Sequence, residues 1–248
     1  MAVILKIGGQ AIPEADLIPL LMQYRLLPQL AKEIIIDRAI AEIECTPEEV
    51  EQAQRGFFQQ EQITSDEQLQ AWLQQQAMTA EELKALILRN LKLEKFKENT
   101  WANKVESHFV QSKSRLDKVV YSLIRTTEAG IAQELYFRIQ EGEATFAELA
   151  QQYSQGSEAQ TGGLIGPVEL NAPHPKIAQM LTASKPGQLH PPLLIGEWWI
   201  LLRLEKYQSA QLDEPTRHRL LADLFQKWLA EQMAQVSCVA EGENQENS

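Results

Sequence analysis

Apolar positions along this chain follow two different periods, and the change falls near residue 118. Up to about Arg115 they recur at three- and four-residue spacing, the pattern of helices buried on one face. Leu83, Leu86, Leu93 and Phe96 make one such stripe, which Ile87 and Leu91 widen. A helix over residues 29–44 carries Leu30, Ile34, Ile35, Ile36, Ile40 and Ile43 around most of its circumference, which predicts a central place in a helical bundle. The glutamine-rich run 52–76 keeps Phe57, Phe58, Leu69, Trp72 and Leu73 at helical spacing and reads as helix. Thr46-Pro47-Glu48-Glu49, Ser65-Asp66-Glu67-Gln68 and Thr79-Ala80-Glu81-Glu82 are helix starts of the capping-box kind. In each a side-chain oxygen takes an orphan backbone N–H, worth about 1 kcal/mol. Ahead of the helices, residues 3–7 and 10–12 flank Gly8-Gly9 and predict a small hairpin.

From Lys118 the period shortens. Val119-Val120-Tyr121-Ser122-Leu123-Ile124 is a β-branched and aromatic run suited to a buried strand. A helix with Ile131, Leu135 and Ile139 on one side follows, stopped by Gly142. Thr145, with Glu148 three residues on, starts a second helix whose face is Phe146, Leu149, Ala150 and Tyr153. A polar loop then reaches the turn Gly162-Gly163-Leu164-Ile165-Gly166-Pro167, and a third helix spans about 174–183. Residues 192–195, Gly196-Glu197 and 198–206 read as a hairpin that closes an antiparallel sheet. Leu220, Leu221, Leu224, Phe225, Trp228 and Leu229 give a last helix an apolar face too large to leave in water. The polar tail 240–248 is expected to be disordered.

Composition narrows the function. A formal charge of −11 argues against nucleic acid, which needs clustered cations, and against docking on an anionic membrane. No run approaches the ~20 apolar residues of a membrane span. Cys45 and Cys238 form no CxxC pair, and His108, His174, His190 and His218 follow no ligand spacing, so neither metal nor cofactor is expected. The glycine turn is not G-x-G-x-x-G and no lysine–serine pair follows it, which disfavours a phosphate cradle. The apolar run at residues 2–5 is broken by Lys6 and Gly8-Gly9, unlike a secretory signal, so a cytoplasmic location is expected.

The order strand, two helices, GG-x-x-G turn, third helix, P-G-Q-x-x-P-P and aromatic hairpin resembles the parvulin family of peptidyl-prolyl isomerases. The matches are Phe146-Ala147-Glu148-Leu149-Ala150-Gln151-Gln152-Tyr153-Ser154, Gly162-Gly163-Leu164-Ile165-Gly166 and Pro186-Gly187-Gln188. With helices on both sides, the whole chain is similar to SurA-like and PrsA-like foldase chaperones. The resemblance implies an α+β architecture: a helical chaperone domain over 1–115, a parvulin-like module of small antiparallel sheet and flanking helices over 116–208, and a helix within 209–239 packing back on the helical domain.

Carried over residue by residue, the family's catalytic positions fall on Ser122, Gly156 and Trp199, none of which keeps the usual histidine, cysteine or aspartate. Tyr121, Leu164, Ile165, Ile177, Met180, Leu181 and Trp198 are the implied substrate-binding residues, with His174 and His190 as further candidates for peptide contact. Ser122 as a nucleophile has no marked partner, and a sheet hydroxyl is its plainer reading. Trp198 and Trp199 follow each other on a strand, so they are expected to face opposite ways. The resemblance implies a foldase that binds unfolded or proline-containing clients, with weak or lost isomerase activity. The alternative is a non-catalytic holdase or adaptor that presents a client for export.

Overall fold

In the computed structural model, residues 5–7 and 10–236 are described. The expected tail, Cys238 and the Gly8-Gly9 turn lie outside them. Two short strands, β1 (Leu5–Ile7) and β2 (Gln10–Ile12), pair antiparallel with Leu5 opposite Ile12.

The chain forms two compact units. One comprises residues up to Val105 together with those from Arg217 on, and the other runs from Glu106 to Thr216. The helical unit contains α1 (Glu14–Gln23), α2 (Leu27–Ile40), α3 (Pro47–Gln60), α4 (Asp66–Gln75) and α5 (Ala80–Trp101). Thr46 and Thr79 close full capping boxes at α3 and α5. At α4 the box stays open: Ser65 takes the Gln68 N–H, but the Gln68 side chain accepts from Thr64 instead.

The centre of this unit is α5, not α2. Leu83 and Ile87 of α5 are buried with Leu73 against Phe57, Phe58 and Trp72. Arg89 of α5 holds Asp37 at 2.6 Å and Glu33 at 2.7 Å, fixing α2 against it. Only Ile36 and Ile40 of α2 are buried, whereas Leu30 and Ile34 stand exposed. One face of α2 has a partner helix, and the isoleucines elsewhere on its circumference do not share it. The last helix, α10 (Glu214–Met233), returns to α5: the Phe96 and Trp228 rings lie 5.3 Å apart, Trp101 and Phe225 6.2 Å apart, and Arg217 pairs with Glu98.

The second unit is a four-stranded antiparallel sheet in the order β4-β3-β6-β5, formed by β3 (Lys118–Thr126), β4 (Leu164–Glu169), β5 (Leu189–Ile195) and β6 (Trp198–Gln208). It also contains α6 (Val105–Leu116, its first residue belonging to the helical unit), α7 (Ala129–Gln140), α8 (Phe146–Tyr153) and α9 (Pro175–Ala183). Ile177 and Leu181 of α9 pack with Val119, Tyr121, Leu123, Ile200, Leu202 and Leu204 on one face of the sheet. Ala132 and Leu135 of α7 and Phe146, Leu149 and Ala150 of α8 pack with Ile124 and Leu201 on the other. Gly163 lets α8 and β3 approach: a Cβ there would stand 2.8 Å from the Leu123 carbonyl oxygen, at a φ of +82° that L side chains avoid.

Where the chain enters and leaves the sheet, Asp117 fixes both ends. This buried carboxylate accepts from Tyr207 Oη, from the Ala210 N–H at 2.7 Å and from Lys113 Nζ at 3.3 Å.

Candidate functional site

Alternation along the strands sorts the residues that the sequence groups together. Tyr121 is opposite Ile165 and Leu204, and all three face α9. Ser122 is opposite Leu164 and Arg203, facing the other way. Trp198 packs on the α9 side and Trp199 on the α7–α8 side, as consecutive strand residues must. Tyr121, Ile165, Ile177, Met180, Leu181 and Trp198 therefore share one face, whereas Ser122, Trp199 and Leu164 belong to the opposite one.

The α9 face carries the unusual chemistry. Tyr121 is 5% exposed and its hydroxyl bonds no group among the described residues, none of whose buried polar side-chain atoms lacks a partner. Its tip is thus the part that reaches solvent, at the edge of a cluster whose half-buried rim includes Ile165, Met180 and Trp198. Burial first, and then the nearby charge of Glu158, push its phenol above the ordinary value. Tyr121 is a hydrogen-bond donor throughout the physiological range.

Glu158 is buried on the short 3-10 turn Ser157–Thr161. Its carboxylate accepts Arg125 Nε at 2.9 Å and Nη2 at 2.8 Å, and Ser154 Oγ at 2.6 Å. Burial works to raise its pKa, but the bonds from Ser154 and Arg125 outweigh it and hold the carboxyl below its usual range. Arg125 lies 5.7 Å from the Trp198 ring centroid, placing a paired cation against the indole.

Residues 124–206 match the family model for the rotamase, or PPIC-type PPIase, domain. The chain carries a parvulin domain. It is similar to the chaperone SurA of Bordetella pertussis, 32% identical over 96 residues, a match spanning 38% of this chain and 18% of that protein. SurA of Colwellia psychrerythraea is 31% identical over 88 residues, or 34% of this chain and 20% of that one. The chain thus spans about a fifth of the length of these curated relatives. Among solved structures, the peptidylprolyl isomerase PrsA of Bacillus cereus aligns over 97% of this chain and 93% of its own, at 17% identity and a TM-score of 0.47.

Within this parvulin domain the three positions carried over from the family do not gather. Ser122 is buried and donates to Glu205 Oε1 at 2.5 Å, and Glu205 also takes Arg203 Nε at 2.7 Å. Ser122 is a satisfied sheet hydroxyl, separated from the Tyr121 tip by the sheet itself. Trp199 stands opposite Thr126 and packs with the α7–α8 core. Gly156 alone adjoins the α9-face chemistry: a Cβ there would lie 2.0 Å from Arg125 Nε and 2.3 Å from Glu158 Oε2. The ion pair fills the space a side chain at 156 would need.

His174 caps α9, its Nδ1 accepting the Lys176 N–H at 3.3 Å. His190 Nε2 lies 2.6 Å from Ser184 Oγ, and burial holds its imidazole below the usual value. Arg125, Ser154 and Glu158 escape the sequence reading. Stepping by two from Tyr121 reaches Arg125, but nothing local marks Glu158, which meets β3 only through the fold. No cluster of His, Cys, Asp and Glu among the described residues could hold a metal ion, and no helix among them is long and apolar enough to cross a membrane.

Proposed function

We propose that the sheet unit binds proline-containing segments of unfolded polypeptides against its α9 face and weakly promotes their cis–trans isomerisation. The carrying observation is Tyr121, a buried ring with an unpartnered hydroxyl at the edge of an apolar cluster. Amide resonance sets a rotation barrier of ~18–20 kcal/mol, and twisting the bond returns the lone pair to nitrogen. A donor that meets this lone pair favours the twisted geometry over either planar isomer. Ile165, Met180 and Trp198 supply the apolar contact for the pyrrolidine ring, and Tyr121 Oη supplies the donor. This chemistry calls on no nucleophile or cofactor, and Ser122, Gly156 and Trp199 take no part in it beyond the room that Gly156 leaves.

Exchange NMR on proline peptides at high protein concentration tests the reading. The wild-type chain is expected to broaden and accelerate the cis–trans exchange, and Tyr121→Phe to lose about tenfold of that acceleration, the value of one hydrogen bond made in the transition state. Absence of any acceleration by the wild type overturns the isomerase reading.

A second reading, a holdase, rests on the helical unit. Ile18, Met22, Leu26, Leu30 and Ile34 all stand exposed on α1, α2 and the segment joining them. Ile18 with Met22, and Leu30 with Ile34, stand one helical turn apart, so each helix offers exposed apolar side chains in pairs to a client. Under this reading the chain suppresses aggregation of denatured clients that contain no proline, and Leu30→Glu with Ile34→Glu abolishes the suppression. Full suppression by that double variant argues against it.

A further inference from the structure

We infer that Glu158 sets the charge specificity of the proline site: by engaging Arg125 it makes the wall beside Trp198 electrically neutral, so the site takes proline segments with uncharged flanks. This rests on the reading of the α9 face as a proline site. Arg125 projects from the same side of β3 as Tyr121, two strand steps away, and its side chain is 35% exposed. A guanidinium so placed would ordinarily attract an acidic residue flanking the proline. Here both its Nε and its Nη2 are spent on one carboxylate. Ser154 and the two bonds to the Glu158 carbonyl, from Gly163 N at 2.8 Å and Thr161 Oγ at 3.0 Å, hold that carboxylate in place. Gly156 completes the arrangement, since any larger residue would displace the guanidinium. The pair presents an apolar ring and a cancelled charge where a lone arginine would present a cation. Glu158 is thus a positioning residue acting through Arg125, without contact to the client.

The test compares two isosteric peptides, Gln-Pro-Gln and Glu-Pro-Glu within the same neutral frame, titrated against the full chain by NMR. Wild type is expected to bind the Glu peptide no tighter than the Gln peptide. Glu158→Gln keeps the shape but frees the guanidinium, and the Glu peptide should then gain about tenfold over the Gln peptide, as one unscreened charge pair near a surface allows. The gain should fade with added salt, a response that a merely structural role would not produce. The double variant Arg125→Met with Glu158→Leu removes both charges without orphaning either. Its Glu-to-Gln binding ratio should stay within about twofold of wild type. A wild-type preference for the Glu peptide, a Glu158→Gln variant that weakens both peptides alike, or a changed ratio in the double variant overturns the inference. Loss of binding to every proline peptide by the wild type instead overturns the proline site, and this inference with it.

Discussion

Each face of the sheet carries an arginine–glutamate pair set against an aromatic ring, and the two pairs behave differently. On the α9 face Arg125 and Glu158 come from a strand and a distant turn, meet through two parallel bonds, and leave the carboxylate side chain 4% exposed. On the α7–α8 face Arg203 and Glu205 sit two residues apart on β6, share one bond, and leave the carboxylate 26% exposed. Arg203 covers Phe146 at 5.0 Å much as Arg125 covers Trp198. Yet Ser122 beside the second pair has its partner, whereas Tyr121 beside the first has none among the described residues. A polar group satisfied within the sheet is structure. One left open to solvent in an apolar setting is available to a ligand.

The largest effect should come from Gly156→Ala. Its Cβ would stand 2.0 Å from Arg125 Nε and 2.3 Å from Glu158 Oε2, so the ends of both side chains must move and the ion pair is broken. Breaking a buried pair by removing one partner costs about 3–5 kcal/mol, and urea unfolding should read a loss of that order. Glu205→Ala on the other face removes a partly exposed partner of Arg203 but also orphans the buried Ser122 hydroxyl, and should cost about 1–3 kcal/mol, less than Gly156→Ala. Equal losses in the two variants would erase the distinction between the pairs.

The same contrast can be sharpened with acid. The folded-state pKa of Glu158 lies below its ordinary value, so its contribution is complete above the unfolded carboxylate pKa. That contribution is lost as pH falls through the depressed folded value. Unfolding midpoints of the wild type should therefore fall below about pH 4, the unfolded carboxylate range. Glu158→Gln should flatten that fall, leaving the part due to Asp117 and the other depressed carboxylates. A wild-type profile that the substitution leaves unaltered would mean Glu158 is not held as described.

At the other end of the pH scale the clamp at Asp117 gives a smaller, separable effect. Burial and the bond to Asp117 push the Tyr207 phenol up to about 12. A raised folded value means that the stabilisation is whole below about pH 10, the unfolded phenol pKa. It disappears as pH climbs through the folded value. Tyr207→Phe should lower stability at neutral pH by about 1.5–3 kcal/mol, the net value of a hydrogen bond to a charged group, and remove that alkaline component. An alkaline profile identical to wild type would detach Tyr207 from the clamp.

Much of this architecture is legible in the sequence because its signals are local. Capping boxes at Thr46, Thr79 and Thr145, the helical stripe of α5 and the strand run at Val119 each depend on neighbours within a turn or a strand step. Misplacements arise where a decision depends on distant chain. The isoleucines of α2 are indistinguishable by pattern, and only the position of α5 decides that Ile36 and Ile40 are inside while Leu30 and Ile34 are not. Glu158 is invisible for the same reason, since 33 residues separate it from Arg125. Tyr121 and Ser122, Leu164 and Ile165, and Trp198 and Trp199 turn to opposite faces because a period of two alternates strand neighbours, a separation the sequence predicts for the two tryptophans and that holds equally for the other two pairs.

That rule yields the smallest predicted effect and the one that best isolates the site. Ser122→Ala removes a hydroxyl whose partner, Glu205, keeps its bond from Arg203, so no charge is stranded and stability should fall by about 1 kcal/mol or less. The substitution lies on the far side of a sheet whose α9 face is packed with Tyr121, Leu123, Leu202 and Leu204. Peptide exchange by Ser122→Ala should match wild type within about twofold, against the tenfold loss expected of Tyr121→Phe one residue away. A Ser122→Ala variant that loses as much as Tyr121→Phe would put the working surface on the α7–α8 side, with Trp199 and Glu205, and would leave the open hydroxyl of Tyr121 without a role in binding.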